Sequence, residues 1–189
     1  MNDFFDNETF TKVDFTLTKI NKGEYDSCTF ENCNFENVHA SNIEFLECEF
    51  INCNFSNTVV NNTFFKDCTF ENCKMVGVKF NECNNFLLEM SFHNCQLNLS
   101  SFYQLKIPTT KFISCNLQEV DFVEADLSRS LFKDCDLKGA IFDQTNLEKA
   151  DLTTATNFAI DPENNSIKKA KFSNENIVGL LYKYDIVVE

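Results

Sequence analysis

The sequence predicts an all-β solenoid, and two superimposed periodicities predict it. Cys28, Cys33, Cys48, Cys53, Cys68, Cys73 and Cys83 are spaced by multiples of five, and Cys95, Cys115 and Cys135 keep that phase after one two-residue slip. Two places after each of these cysteines, Cys83 apart, stands Phe30, Phe35, Phe50, Phe55, Phe70, Met75, Leu97, Leu117 or Leu137, so an apolar centre follows the same clock. A five-residue period fits neither the 3.6 of a helix, the 2 of a strand nor the 3.5 of a coiled coil. A repeat of this extent decides the architecture before any local propensity does.

A coil satisfies the pattern if every five residues make one short extended side and one turn. Two side chains of the five then face inward: the centre, and the small residue two places before it. That small slot holds Ala125, Ser130, Cys135, Ala140, Thr145 and Ala150 in succession, while the later centres alternate as Phe92, Leu97, Phe102, Ile107, Phe112, Leu117, Phe122, Leu127, Phe132 and Leu137. The core expected from this phase includes Cys28, Cys33, Cys48, Cys53, Cys68, Cys73, Cys95, Cys115 and Cys135, with Phe30, Phe50, Phe70, Phe92, Phe112 and Phe132. Each such Phe or Leu contributes roughly 1.5–3 kcal/mol over exposure, enough to offset ordering of the chain.

The stretches Cys-Thr-Phe-Glu-Asn at 28–32, Cys-Asn-Phe-Glu-Asn at 33–37, Ala-Asp-Leu-Ser-Arg at 125–129 and Ala-Asp-Leu-Thr-Thr at 150–154 resemble the motif of the pentapeptide-repeat family. The resemblance covers about residues 8 to 156 and implies a right-handed quadrilateral β-helix. Four sides make a twenty-residue coil, so Cys28, Cys48 and Cys68 should stack in one column. Cys33, Cys53, Cys73, Cys95, Cys115 and Cys135 should form another if the slip is a local bulge. At strand spacing, about 4.8 Å, about eight coils give a rod on the order of 40 Å long.

The domain reading is one β-helix over 1–172, with the phase slip at 81–91 and an irregular turn at 157–166, followed by 173–189 as a cap. Asn84 to Glu89 would form a bulge at the slip, and Asp161-Pro162-Glu163 a turn. Ser173, with Asn176 three places on, predicts a short α-helix containing Ile177, Leu180, Leu181 and Tyr184. This segment would close the end of the stack, and Val178, Leu181, Tyr182, Ile186 and Val188 offer a homodimer seam. Asn32, Asn52, Asn72 and Asn94 share one turn phase, as an asparagine ladder or as simple turn preference.

Catalytic and metal chemistry find little support. The paired cysteines mimic zinc spacing, but their phase points them inward as small core residues. No basic, apolar leader opens the chain, and unpaired thiols suit a reducing compartment, so a cytoplasmic protein without disulfides is expected. His39 and His93 are outward and isolated, no phosphate loop or nucleophile motif occurs, and a convex rod excludes water poorly. The expectation is no enzyme, no cofactor, no metal and no membrane insertion.

Function therefore belongs to the outward positions. Lys and Arg number 16 against 29 Asp and Glu, a net charge of −13, which disfavours direct nucleic-acid binding. Glu44, Glu47, Glu49, Asp67, Glu71, Asp121, Asp126 and Asp136 are the candidate partner-facing acids. The length, the Phe- and Cys-rich first half and the ending from Asn176 to Val188 are similar to the quinolone-resistance (Qnr) and microcin-immunity branch of the family. That resemblance implies a dimeric DNA mimic that engages DNA gyrase or topoisomerase IV, as inhibitor or as protector from drug or toxin. This chain departs from Qnr members in lacking long projecting loops, which favours inhibition over drug protection. The alternative is an interaction scaffold with another partner, its acidity serving solubility.

Overall fold

The computed structural model describes residues 3–187. In it β1 (Asp3–Asp6), β3 (Gly23–Asp26), β5 (Glu44–Leu46) and β7 (Phe64–Lys66) pair in parallel as one sheet. A second parallel sheet holds β2 (Thr9–Thr11), β4 (Thr29–Glu31), β6 (Glu49–Ile51), β8 (Cys68–Glu71), β9 (Met90–His93), β10 (Lys111–Ile113) and β11 (Leu131–Lys133). Isolated parallel bridges build the other two sides, through Asp14, Asn34, Asn54, Lys74, Gln96, Asn116 and Asp136 on one and Lys79, Ser101, Asp121 and Ile141 on the other. We number these walls 1 to 4 in chain order, centred in the first coil on Phe5, Phe10, Phe15 and Ile20. The result is a right-handed quadrilateral β-helix of about seven turns, slightly fewer than the spacing suggests because the last coil loses phase after Ala155.

Register follows the cysteines. Phe10, Phe30, Phe50 and Phe70 face one another at intervals of twenty residues; Phe70 pairs with Phe92 across the slip, and the twenty-residue interval resumes at Phe112 and Phe132. The extra residues are absorbed on wall 1, where Phe86 and Leu87 turn outward, Leu87 adopts φ 53°, and Leu88 is buried. Met90 takes the slot below which Cys68 stands, ending the first thiol column, while the second runs unbroken from Cys33 to Cys135.

The small inward slot has a chemical reason to favour cysteine. Cys53 Sγ donates to the carbonyls of Phe30 at 3.2 Å and Ile51 at 3.4 Å, and the other column thiols repeat this pair of contacts. Thr58, Thr63 and Thr145 make the equivalent bond to Phe35, Ala40 and Phe122 at 2.7–2.8 Å. A side chain there must be small and able to quiet an inward carbonyl. The thiols are all free and buried, and burial pushes that of Cys48 up to about 12.

Turns explain the polar positions of the repeat. Nearly every corner residue has positive φ, including Asn32 (55°), Asn52 (54°), Asn72 (53°) and Asn94 (51°). That conformation costs an ordinary side chain about 1–2 kcal/mol, and asparagine tolerates it best. A ladder forms only in part: Asn94 donates to Asn72 at 2.7 Å, whereas the longer run is Asn84 to Asn62 at 2.9 Å and Asn62 to Asn42 at 3.0 Å, two corners away.

The C-terminal segment departs from the expected α-helix. It forms two short 3-10 turns, Ile177–Leu180 and Tyr182–Tyr184. Ser173 and Asn176 do exchange hydrogen bonds, at 2.8 and 3.2 Å, but the Asn176 amide is also committed to the carbonyls of Leu152 and Ala155 at 2.7 and 2.9 Å. β-Branched Ile177 and Val178 followed by Gly179 make a poor helix nucleus. Gly179 also lies so close to Phe158 that a Cβ would fall 2.5 Å from its ring and its carbonyl. Ile160 N–H donates to Gly179 at 3.1 Å, and Leu180 packs on the core, so the segment covers that end of the stack.

Candidate functional site

The walls sort the charges in a way that the linear sequence hides. Walls 1 and 2 of the first four coils carry Asp3, Asp6, Glu8, Glu24, Asp26, Glu31, Glu44, Glu47, Glu49, Asp67 and Glu71 against only Lys12 and Lys66, a net −9 of the chain's −13. Walls 3 and 4 of the same coils hold Asp14, Glu36 and Glu82 against Lys19, Lys22, Lys74 and Lys79. Beyond the slip the sign inverts: walls 1 and 2 carry Lys106, Lys111, Arg129, Lys133, Lys149, Lys168, Lys169 and Lys171 against Asp126, Asp134, Glu148 and Asp151.

The register forces like charges together on the acidic walls. Asp6 faces Asp26, and Glu24 faces Glu44, on adjacent strands. At about 4.8 Å two unit charges in water repel by roughly 0.9 kcal/mol, and directly opposed like charges destabilise a sheet. Four coils span about 19 Å. The net −9 of these walls therefore falls at about one charge per 2.1 Å, somewhat sparser than the one per about 1.7 Å of duplex DNA. Averaged over the whole rod the acidity is much thinner; only the folded walls concentrate it.

The structure brings Glu44, Glu47, Glu49, Asp67 and Glu71 together on this patch and leaves Asp121, Asp126 and Asp136 elsewhere. Those three carboxylates serve the turns, accepting the N–H two residues on from Val123 at 2.9 Å, Ser128 at 3.0 Å and Lys138 at 3.1 Å. Burial raises the Asp136 carboxyl, but bonds from Asn157, Gln118 and Lys138 N–H outweigh it and hold the group below the usual range. The signal separating the two kinds is in the repeat itself, because an Asp immediately before a centre is a turn acceptor. Asn165 was missed by sequence reasoning: it fills a small inward slot, accepting from Thr145 N–H at 2.9 Å and donating to Phe142 at 3.1 Å.

The sequence-derived core residues, Cys28 through Cys135 and Phe30 through Phe132, are all buried. Of the seam residues, Val178, Tyr182 and Ile186 are exposed and Leu181 is half-buried, while Val188 lies outside the described residues. An open surface groove of about 720 Å³ is lined by Phe15, Lys19, Ile20, Val38 and His39 among others. No group of three or more His, Cys, Asp or Glu among the described residues is placed to hold a metal ion, and no described helix is long and apolar enough to cross a membrane.

Family models agree with this architecture. The model of the pentapeptide repeat region matches residues 43–112, and that of pentapeptide repeats in eight copies matches 115–153. The chain belongs to the pentapeptide-repeat family. The model of the SV2A/B/C luminal domain also matches, over residues 1–75. Among solved structures, full-length QnrB1, described as a plasmid-mediated fluoroquinolone resistance protein, aligns with a TM-score of 0.55 at 17% identity over 97% of this chain and 100% of that one. A trypsin-treated QnrB1 gives 0.51 at 19% identity, over 99% and 100%. HetL, a pentapeptide repeat protein involved in heterocyst differentiation regulation from the cyanobacterium Nostoc sp. strain PCC 7120, gives 0.51 at 11% over 92% and 86%. At these identities what is shared is the fold. No curated protein matches the chain in sequence.

Proposed function

We propose that this protein is a non-enzymatic modulator of a type II topoisomerase, DNA gyrase or topoisomerase IV, acting in the cytoplasm by presenting its acidic walls in place of DNA. The observation that carries this reading is the patch on walls 1 and 2, whose net charge approaches the linear density of duplex DNA and whose carboxylates stand in register despite their mutual repulsion. A basic DNA-binding surface would be drawn to it over long range and docked by it. The shared fold with QnrB1 supports the same direction. Val178, Tyr182 and Ile186, exposed at the C-terminal end, would supply a homodimer seam. The short bulge at Asn84 to Glu89 favours inhibition over drug protection.

The test is gyrase supercoiling, and quinolone-stabilised cleavage, with micromolar protein. Glu44→Lys combined with Glu49→Lys on the patch is expected to abolish the effect, whereas Asp121→Asn on wall 4 leaves it intact. Supercoiling and cleavage unchanged by the native protein would sink the proposal. A second reading, an interaction scaffold with another partner, draws on the positive charge of walls 1 and 2 beyond the slip, which a uniform DNA mimic would not need. Equal loss in the wall 1–2 and wall 4 variants would favour it.

A further inference from the structure

We propose that the corner between walls 1 and 2 beyond the slip is a docking ridge for the phosphate backbone of duplex DNA. Before the slip the positive-φ residues of this corner are Asn7, Ser27, Glu47 and Asp67; after it they are Thr109, Arg129, Lys149 and Lys169. The last three stack directly, since Arg129 N–H donates to Glu148 at 2.8 Å and Lys149 N–H to Lys168 at 3.0 Å, each one coil on. Lys168 flanks the crest on wall 1, and Lys111, Lys133 and Lys171 flank it on wall 2, all of them exposed. The ion pairs within the described residues are Lys79 with Glu82, Lys171 with Asp151, and Lys183 with Asp161 and Glu163. Of the ridge cations, therefore, only Lys171 has an acidic partner.

The acids nearby do not cancel this charge. Asp151 is held by Lys171 at 3.1 Å, and Asp126 accepts from Ser128 N–H and the Asn146 amide at 3.0 and 2.9 Å. Glu148 accepts from the Ser166 hydroxyl at 3.1 Å, and Asp134 stands at the next corner. With Lys106 included, eight cations against these four acids leave walls 1 and 2 of this half at a net +4. Along the edge itself the nearest acids are Glu89 and Asp67, two and three coils from Arg129. At strand spacing these lie about 10 and 14 Å away, beyond the Debye length of about 8 Å at physiological salt.

Shape selects the partner. The corner is convex, with cations on its crest and on both slopes. Lys168 and Lys171 are three residues apart, so the ridge is at most about 10 Å across its backbone, and a major groove about 12 Å wide admits it between two phosphate strands. From Arg129 to Lys169 the crest rises about 10 Å, a length over which a duplex offers about six phosphates. A flat lipid surface would meet the crest alone, and no large apolar side chain is exposed on this stretch to anchor in it. The net charge of −13 opposes nucleic acid over the rod as a whole, but the acidic half then sets the polarity of docking by repelling the duplex from its own end. The topoisomerase reading is not required, and the C-terminal seam uses none of these cations. Together the two halves would let one rod meet an enzyme with its acidic walls and adjoining DNA with its ridge.

Fluorescence anisotropy of a labelled, blunt-ended duplex DNA titrated with the full chain, with no topoisomerase present, tests this. The expected result is binding in low salt that weakens about a hundredfold between about 50 and 200 mM, as about four phosphate contacts require. Arg129→Glu combined with Lys149→Glu should cut the affinity roughly tenfold or more. Glutamate already takes the same corner conformation at Glu47, Glu119 and Glu124, so the fold should tolerate the exchange. Lys19→Glu combined with Lys74→Glu, an equal change of charge at exposed positions away from the ridge, should leave binding nearly unchanged. No binding in low salt overturns the proposal. So does an equal loss in the two pairs of variants, which marks an effect of net charge alone. Tighter capture of anionic phospholipid vesicles, or of polyglutamate at matched charge, assigns the ridge to a lipid surface or an acidic protein and overturns it equally.

Discussion

Replacing Phe92 by alanine is expected to be among the most damaging single truncations in the rod. Phe92 is fully buried on wall 2 just after the two-residue slip, and it joins the halves of the aromatic column. Its ring stacks on Phe70 and Phe112, each at 5.3 Å, and meets Phe80 and Phe102 edge-on at 5.7 and 5.9 Å. Truncating a buried phenylalanine costs about 3–5 kcal/mol in transfer and cavity terms. The four ring contacts, at about 0.5–1.5 kcal/mol each, place this site toward the upper end. Because each coil touches only its neighbours, the cavity also weakens the coupling between the rod's halves. Guanidinium unfolding should therefore show a lower midpoint, with the transition broadening or splitting in the variant, while Phe4→Ala, at 61% exposure, changes little. A Phe92→Ala loss below about 1 kcal/mol with a single sharp transition would refute the view that stacked rings carry the core and its cooperativity.

Two further outcomes follow from the ends and the thiols. Lys183 bonds Asp161 and Glu163, each at 2.7 Å, which lowers both carboxyls from 3.8 and 4.5 and raises the ammonium above 10.5. Depressed carboxyls contribute stability above their unfolded values and lose it as pH falls through their folded ones; the raised lysine contributes below 10.5 and loses it as pH rises further. Protection of Ile160 N–H against exchange, corrected for intrinsic rate, should hold between those limits and fall below about pH 4; Lys183→Met retaining the same acid profile would refute the clamp. A thiol reagent should leave the folded chain unlabelled on the timescale on which the guanidinium-unfolded chain yields all ten cysteines, with Cys83 beside the bulge reacting first; prompt labelling of Cys53 or Cys115 would contradict the column.

Much of the fold is legible because a five-residue period admits few structures. Phe30 and Cys33 announce their burial through phase alone, and the slip between Cys83 and Cys95 announces an interruption without saying which wall absorbs it. The C-terminal segment was harder to read, since Gly179 looks like a weak helical residue until Phe158 is seen against it. The candidate surface was only half legible. Glu47 and Asp126 look alike as outward acids, yet one stands at a corner open to solvent and the other ties its side chain to Ser128 N–H.

By itself the sequence determined which residues face inward and which form corners, since that depends only on position within five. Only the tertiary structure decided which charges meet, because residues twenty apart become neighbours at strand spacing while residues five apart turn onto different walls. That winding gathers −9 of a scattered −13 into a dense acidic patch before the bulge and leaves the same walls basic after it.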